Sequence, residues 1–144
     1  EELSKIDAKS GQISYYPTPT KRSRPRRGQI EEDGRITFAE FNGDRVGMFD
    51  PKTEKFEEFP LPGPEASPYA IGVDPKGIVW YSSHEQDILG RFDPKTGDVI
   101  EYPYMHSEIS MREFFTDSKG RMWYASSVNN KIGYWYYNET PPAR

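Results

Sequence analysis

One spacing constrains this chain more than any other feature. Gly34, Gly77 and Gly120 fall 43 residues apart, as do Gly47, Gly90 and Gly133, and Thr37, Trp80 and Trp123. The register holds without a gap. Ile6-Asp7-Ala8-Lys9-Ser10 aligns with Phe49-Asp50-Pro51-Lys52-Thr53 and with Phe92-Asp93-Pro94-Lys95-Thr96, and Tyr16-Pro17 aligns with Phe59-Pro60 and Tyr102-Pro103. A repeat of this length, filled with short extended segments, predicts stacked four-stranded sheets, the blades of a β-propeller.

The unit at 67–106 shows the design best. Extended segments are expected at 69–73, 78–82, 88–92 and 99–102. Between the first two lies Asp74-Pro75-Lys76-Gly77, where Pro presets φ and Gly can take the left-handed conformation that closes a hairpin. Pro103 ends the fourth segment because it has no amide to give to a ladder. No stretch has capped helical periodicity. The fold class is therefore all-β: a partial propeller of four-stranded antiparallel blades. Residues 1–20 make a half blade, 24–63 and 67–106 make full ones, and 110–144 make an incomplete terminal one.

A four-stranded sheet of this kind cannot bury both faces alone, so neighbours must stack on it. Trp80 and Trp123 are expected to fill the space between blades. About three and a third blades is fewer than the four to eight that usually close a ring. Other propeller blades or partner chains are thus the expected partners, in the same polypeptide or another. The aromatic tail Tyr134-Trp135-Tyr136-Tyr137 is either a docking surface or the filler that seals the last blade.

Composition excludes several function classes. Among the 144 residues there is no cysteine, which removes disulfides, thiol catalysis and thiolate metal sites. A net charge of −4 does not point to nucleic acid as a partner. No segment is apolar enough to be transmembrane. The repeated turn aspartates, Asp50, Asp74, Asp93 and Asp117, are expected to accept hydrogen bonds from their own turns, so neither metal nor cofactor is expected.

The units resemble the virginiamycin B lyase (streptogramin lyase) family. The stretches that carry the likeness are PYAIGVDPKGIVWYSS at 68–83, ILGRFDPKTGDVIEYP at 88–103, and Asn130-Lys131-Ile132-Gly133. The family form is close to P-H-G-I-x-V-x-P-D-G-x-V-W-F-T-E, followed by N-K-I-G-R-I-D-P-x-T-G. The resemblance implies a seven-bladed ring and an often exported, extracytoplasmic protein. It also implies a Mg²⁺-dependent lyase that opens a cyclic depsipeptide by elimination. The family's catalytic His and Glu lie at the H of P-H-G-I, two residues before it, and at the E of W-F-T-E.

Carried over residue by residue, that pattern is mostly absent. The H position holds Arg26, Tyr69 and Arg112; two residues earlier stand Arg24, Ser67 and Ser110. The E position holds Glu40, Ser83 and Ser126. Arginine stays protonated and cannot serve as the base. His84 and His106 align with neither position. No residue of this chain is expected to be catalytic, and the expected function is a non-catalytic binding or scaffold module. The alternatives are a lyase whose catalytic residues lie in other blades, and a sensor of an anionic small molecule.

The run Lys21-Arg22-Ser23-Arg24-Pro25-Arg26-Arg27 gives the sensor reading its residues. In register it enters an inner strand, at one mouth of the central channel. Arg24, Arg26, Arg27, Glu40, Tyr69 and Arg112 are the candidate ligand-binding set there. An ion pair between Arg26 and Glu40 is the expected cap of that mouth.

Overall fold

The computed structural model describes residues 1–105 and 107–137. The repeat builds the sheets in chain order. Strands β1 (Glu2–Ile6) and β2 (Ile13–Pro17) pair as a two-stranded sheet. Strands β3 (Pro25–Ile30), β4 (Ile36–Glu40), β5 (Arg45–Asp50) and β6 (Lys55–Pro60) form a four-stranded antiparallel meander. A second meander follows in β7 (Pro68–Val73), β8 (Val79–Ser83), β9 (Ile88–Phe92) and β10 (Val99–Pro103). Strands β11 (Met111–Thr116), β12 (Arg121–Ser126) and β13 (Lys131–Tyr136) make the last sheet. His106 and the final turn residues Asn138-Glu139 lie outside the described residues. Among the described residues no helix is long and apolar enough to cross a membrane.

Turn chemistry sets the hairpins. Asp74 Oδ1 accepts the amides of Lys76 and Ile78, while Gly77, at φ 82°, closes the turn onto the Asp74 carbonyl. Asp117 repeats this with Lys119 and Arg121, and Asp50 and Asp93 accept amides within their own turns. The turn aspartates reach further than the sequence implies. Asp74 Oδ2 also takes the indole N–H of Trp80 at 3.2 Å, and Asp117 Oδ2 takes that of Trp123 at 2.8 Å.

The two-residue period of a strand gives the central sheet two apolar faces. Ile71, Val73, Val79, Tyr81 and Phe92 join one core with Ala39, Val46 and Met48 of the sheet before. Ala70, Trp80 and Leu89 join another with Met111, Phe114 and Met122 of the sheet after. Burying each such large side chain contributes about 1.5–3 kcal/mol. Trp80 is the expected filler, stacked near Tyr102 and Trp135. Trp123 is only half-buried, on the outer face of the last sheet with Tyr134.

Cross-strand glycines let aromatic rings lie flat. Gly90 faces Tyr81, and a methyl group built on it would sit 1.9 Å from the ring's Cζ. Gly47 with Phe38 and Gly133 with Tyr124 repeat the arrangement. The half blade packs on the first full sheet through Tyr16, whose ring lies 4.8 Å from Phe49.

Candidate functional site at the channel mouth

Antiparallel pairing puts the start of each inner strand beside the end of the second strand. Two sets of repeat-equivalent positions therefore meet at one end of the wall formed by β3, β7 and β11. The first is Arg26, Tyr69 and Arg112; the second is Phe41, His84 and Ser127. The amides of Phe41, His84 and Ser127 are held by the carbonyls of Arg24, Ser67 and Ser110. Those three carbonyl-bearing residues all sit in left-handed backbone, at φ 54°, 40° and 45°. Non-glycine residues rarely occupy that region, and such strain gathers at functional sites.

Each inner strand also carries a bulge, where the register slips between Pro25 and Gly28, Pro68 and Ile71, and Met111 and Phe114. Two residues there oppose one, which re-aims a side chain. The result is a layered cluster. The Arg26 guanidinium lies 4.6 Å from the Phe41 ring centre and 4.8 Å from that of Tyr69, and its Nη1 donates to the Tyr69 hydroxyl at 3.3 Å. Arg112 lies 5.7 Å from the same Tyr69 ring, and Arg24 lies 5.7 Å from Phe41. The His84 ring packs against Tyr69 at 5.1 Å, and its Nδ1 is buried without a hydrogen-bond partner.

The structure brings Arg24, Arg26, Tyr69 and Arg112 together. Arg27 turns away to an ion pair with Glu113 at 3.1 Å, which leaves it neutralised. The expected Arg26–Glu40 pair does not form. Glu40 lies opposite Pro25, fully buried, with no hydrogen bond to either carboxylate oxygen. Its carboxyl is pushed up to about 7, first by loss of water and then by the charge of Glu58, with the charge of Arg45 opposing. The bulge explains the separation: it rotates Arg26 toward the rings while Glu40 stays in the ladder facing the sheet interior.

Phe41 and His84 are the site residues that sequence reasoning missed. His84 lies in the turn that follows β8, and its contact with Tyr69 brings it to the mouth. The signal was present, because Phe41 and His84 are 43 residues apart like Arg26 and Tyr69.

Mg²⁺ takes hard oxygen ligands, mostly carboxylates and water. This mouth presents guanidinium groups; of the carboxyls near it, Glu40 is buried beside Glu58 and Glu113 is paired with Arg27, so the residues present do not fit the ion. Among the described residues no three acidic or histidine side chains converge as a metal site. A recess of about 300 Å³ lies at the opposite end, near Gln29, Glu31 and Asp74. There Glu31 is engaged by Thr37 and Arg35, and Asp74 by its turn and Trp80.

Sheets in chain order, each sharing a core with the next, define a β-propeller segment. The whole chain then finds its family: residues 1–139 match the virginiamycin B lyase family, and the chain belongs to it. It is similar to a streptogramin B lyase structure at 26% identity and a TM-score of 0.86, over 94% of this chain and 45% of that one. It is equally similar in sequence, at 26% and a TM-score of 0.84, to a catalytically inactive histidine-to-alanine variant of virginiamycin B lyase from Staphylococcus aureus with quinupristin; the coverage is again 94% and 45%. The chain thus spans less than half the length of these lyases. The extracellular domain of a proposed one-component system from B. thetaiotaomicron shares the fold at 18% identity and a TM-score of 0.70, over 92% of this chain and 17% of that one. Among curated protein sequences none matches.

Proposed function

We propose that this segment is a non-catalytic binding module of a lyase-like propeller. One observation carries the reading: the positions of the family's catalytic histidine hold Arg26, Tyr69 and Arg112, gathered against the Tyr69 ring, while the imidazole beside them, His84, comes from the turn after β8 and has its Nδ1 buried. Arginine remains charged through the whole physiological range and cannot take the proton beside an ester. Tyr69 is occupied as the platform for two guanidinium groups.

Its open faces are docking surfaces for further blades. Ile132, Tyr134 and Tyr136 lie exposed on the outer face of the last sheet, with Trp123 beside them. Ile6, Ile13 and Tyr15 are exposed on the half blade. Both patches repeat the side-chain chemistry that is buried between the other sheets, so a blade of the same kind is the partner that fits.

The test is incubation of the intact polypeptide with quinupristin and Mg²⁺, followed by chromatography. The depsipeptide is expected to remain cyclic. Ring opening at a rate above the protein-free control overturns the reading and favours a lyase with catalytic residues in other blades.

A further inference from the structure

We infer that the mouth binds a small oxyanion of at least two negative charges, a phosphoryl, sulfuryl or polycarboxylate group, held between Arg26 and Arg112. The inference rests on the non-catalytic reading above and adds the chemistry of the ligand.

Two guanidinium groups stand within 6 Å of one ring centre, that of Tyr69. Sharing one ring keeps the two charges within about a Debye length of each other, where like charges repel. Among the described residues no carboxylate pairs with Arg24, Arg26 or Arg112, although the chain has 23 acidic residues and net charge −4. By contrast Arg27, Arg35 and Arg121 each have an acidic partner. The mouth therefore keeps its cations free in a molecule rich in counter-charge.

These cations are also oriented. Arg26 lies against both Phe41 and Tyr69, whose rings stand at 88° to one another, and is tied to the Tyr69 hydroxyl. Contact with the ring faces and the tether to the hydroxyl restrict the guanidinium and leave N–H groups to give a paired, fork-like contact. Oxyanions accept that fork with two parallel hydrogen bonds. The His84 ring packs on Tyr69 as well, 5.1 Å between ring centres, with its Nδ1 buried and unpartnered. A single positive charge would suit a monoanion. Two free guanidinium groups sharing one ring select a higher charge.

Isothermal titration of the full chain with sulfate, hydrogen phosphate, citrate and acetate, at constant ionic strength, tests this. The three multivalent anions are expected to bind at one site and acetate not to compete. Arg26→Gln and Arg112→Gln should each weaken binding about tenfold or more, the loss typical of one charged hydrogen-bond partner. Lys95→Gln, in a turn at the opposite end, should leave it unchanged. The arms also rank phosphoryl, sulfuryl and carboxylate sources. No saturable binding, or equal binding by the parent, Arg26→Gln and Arg112→Gln chains, overturns the inference. Neither result bears on quinupristin turnover, so the two readings fail separately.

Discussion

The carboxylate of Asp44 accepts the backbone amide of Ser67 at 2.8 Å, across the boundary between two sheets. Its other oxygen accepts the amide of Glu65 at 3.1 Å. Asp87 repeats the clasp on Ile109 and Glu108 at the next boundary. Both aspartates sit at φ 50°, a left-handed conformation that Asp tolerates better than most residues. A loop residue of one sheet thus fixes the linker that positions the next inner strand, and with it the mouth.

Asp44→Ala is expected to lower the unfolding free energy by about 1–3 kcal/mol, because two linker amides lose their acceptor. Asp44→Asn keeps one acceptor oxygen and the backbone tolerance, and should lose less. Urea denaturation measures both. Equal stability of the parent and Asp44→Ala chains would contradict the clasp.

Gly90→Ala is expected to cost about 1–3 kcal/mol, since the added methyl meets the Tyr81 ring and the core must deform. Tyr81 is fully buried and its hydroxyl is tied to Glu101 at 2.7 Å, so the ring has little room to move. Tyr81→Leu in the same background should recover part of the loss. A double-mutant cycle reads the coupling. Strict additivity of the two changes would deny the contact.

Glu40 gives a pH dependence. Its carboxyl stands at about 7 in the fold against an ordinary 4.5. Between those values the folded chain holds a proton that the unfolded chain has released, so stability falls as pH rises through that window and levels off above it. Glu40→Gln has no proton to lose. It should flatten the slope and raise stability above pH 7 by an amount on the order of 2 kcal/mol. Denaturation curves at about pH 5 and about pH 8 measure this difference. An identical pH slope in the parent and Glu40→Gln chains would place the titration elsewhere.

Much of the fold was legible because it is written three times. The 43-residue register gives the strand order, the turns at Asp74 and Gly77, and the meeting of Arg26, Tyr69 and Arg112 at one end. What the sequence did not display was direction. A bulge in each inner strand decides which way residues 26, 69 and 112 point, and no residue type announces it. For that reason the Arg26–Glu40 pair was a sound expectation from position and still did not form. Arg27 and Glu113 are likewise far apart in sequence and meet only because β7 packs against both β3 and β11. His84 was hidden differently. As a lone histidine past a strand end it reads as a loop residue, and only its offset from Phe41 marks it as part of the mouth.

The proposed binding surface is made from Arg26, Tyr69 and Arg112. The most direct measurement is the arginine side-chain Nε–Hε NMR spectrum of the full chain during a citrate titration at constant ionic strength. The Arg26 and Arg112 signals are expected to shift together and saturate, while those of Arg35 and Arg121, already paired with carboxylates, stay in place. A uniform, unsaturated drift of every arginine, or no movement of Arg26 and Arg112, would contradict it.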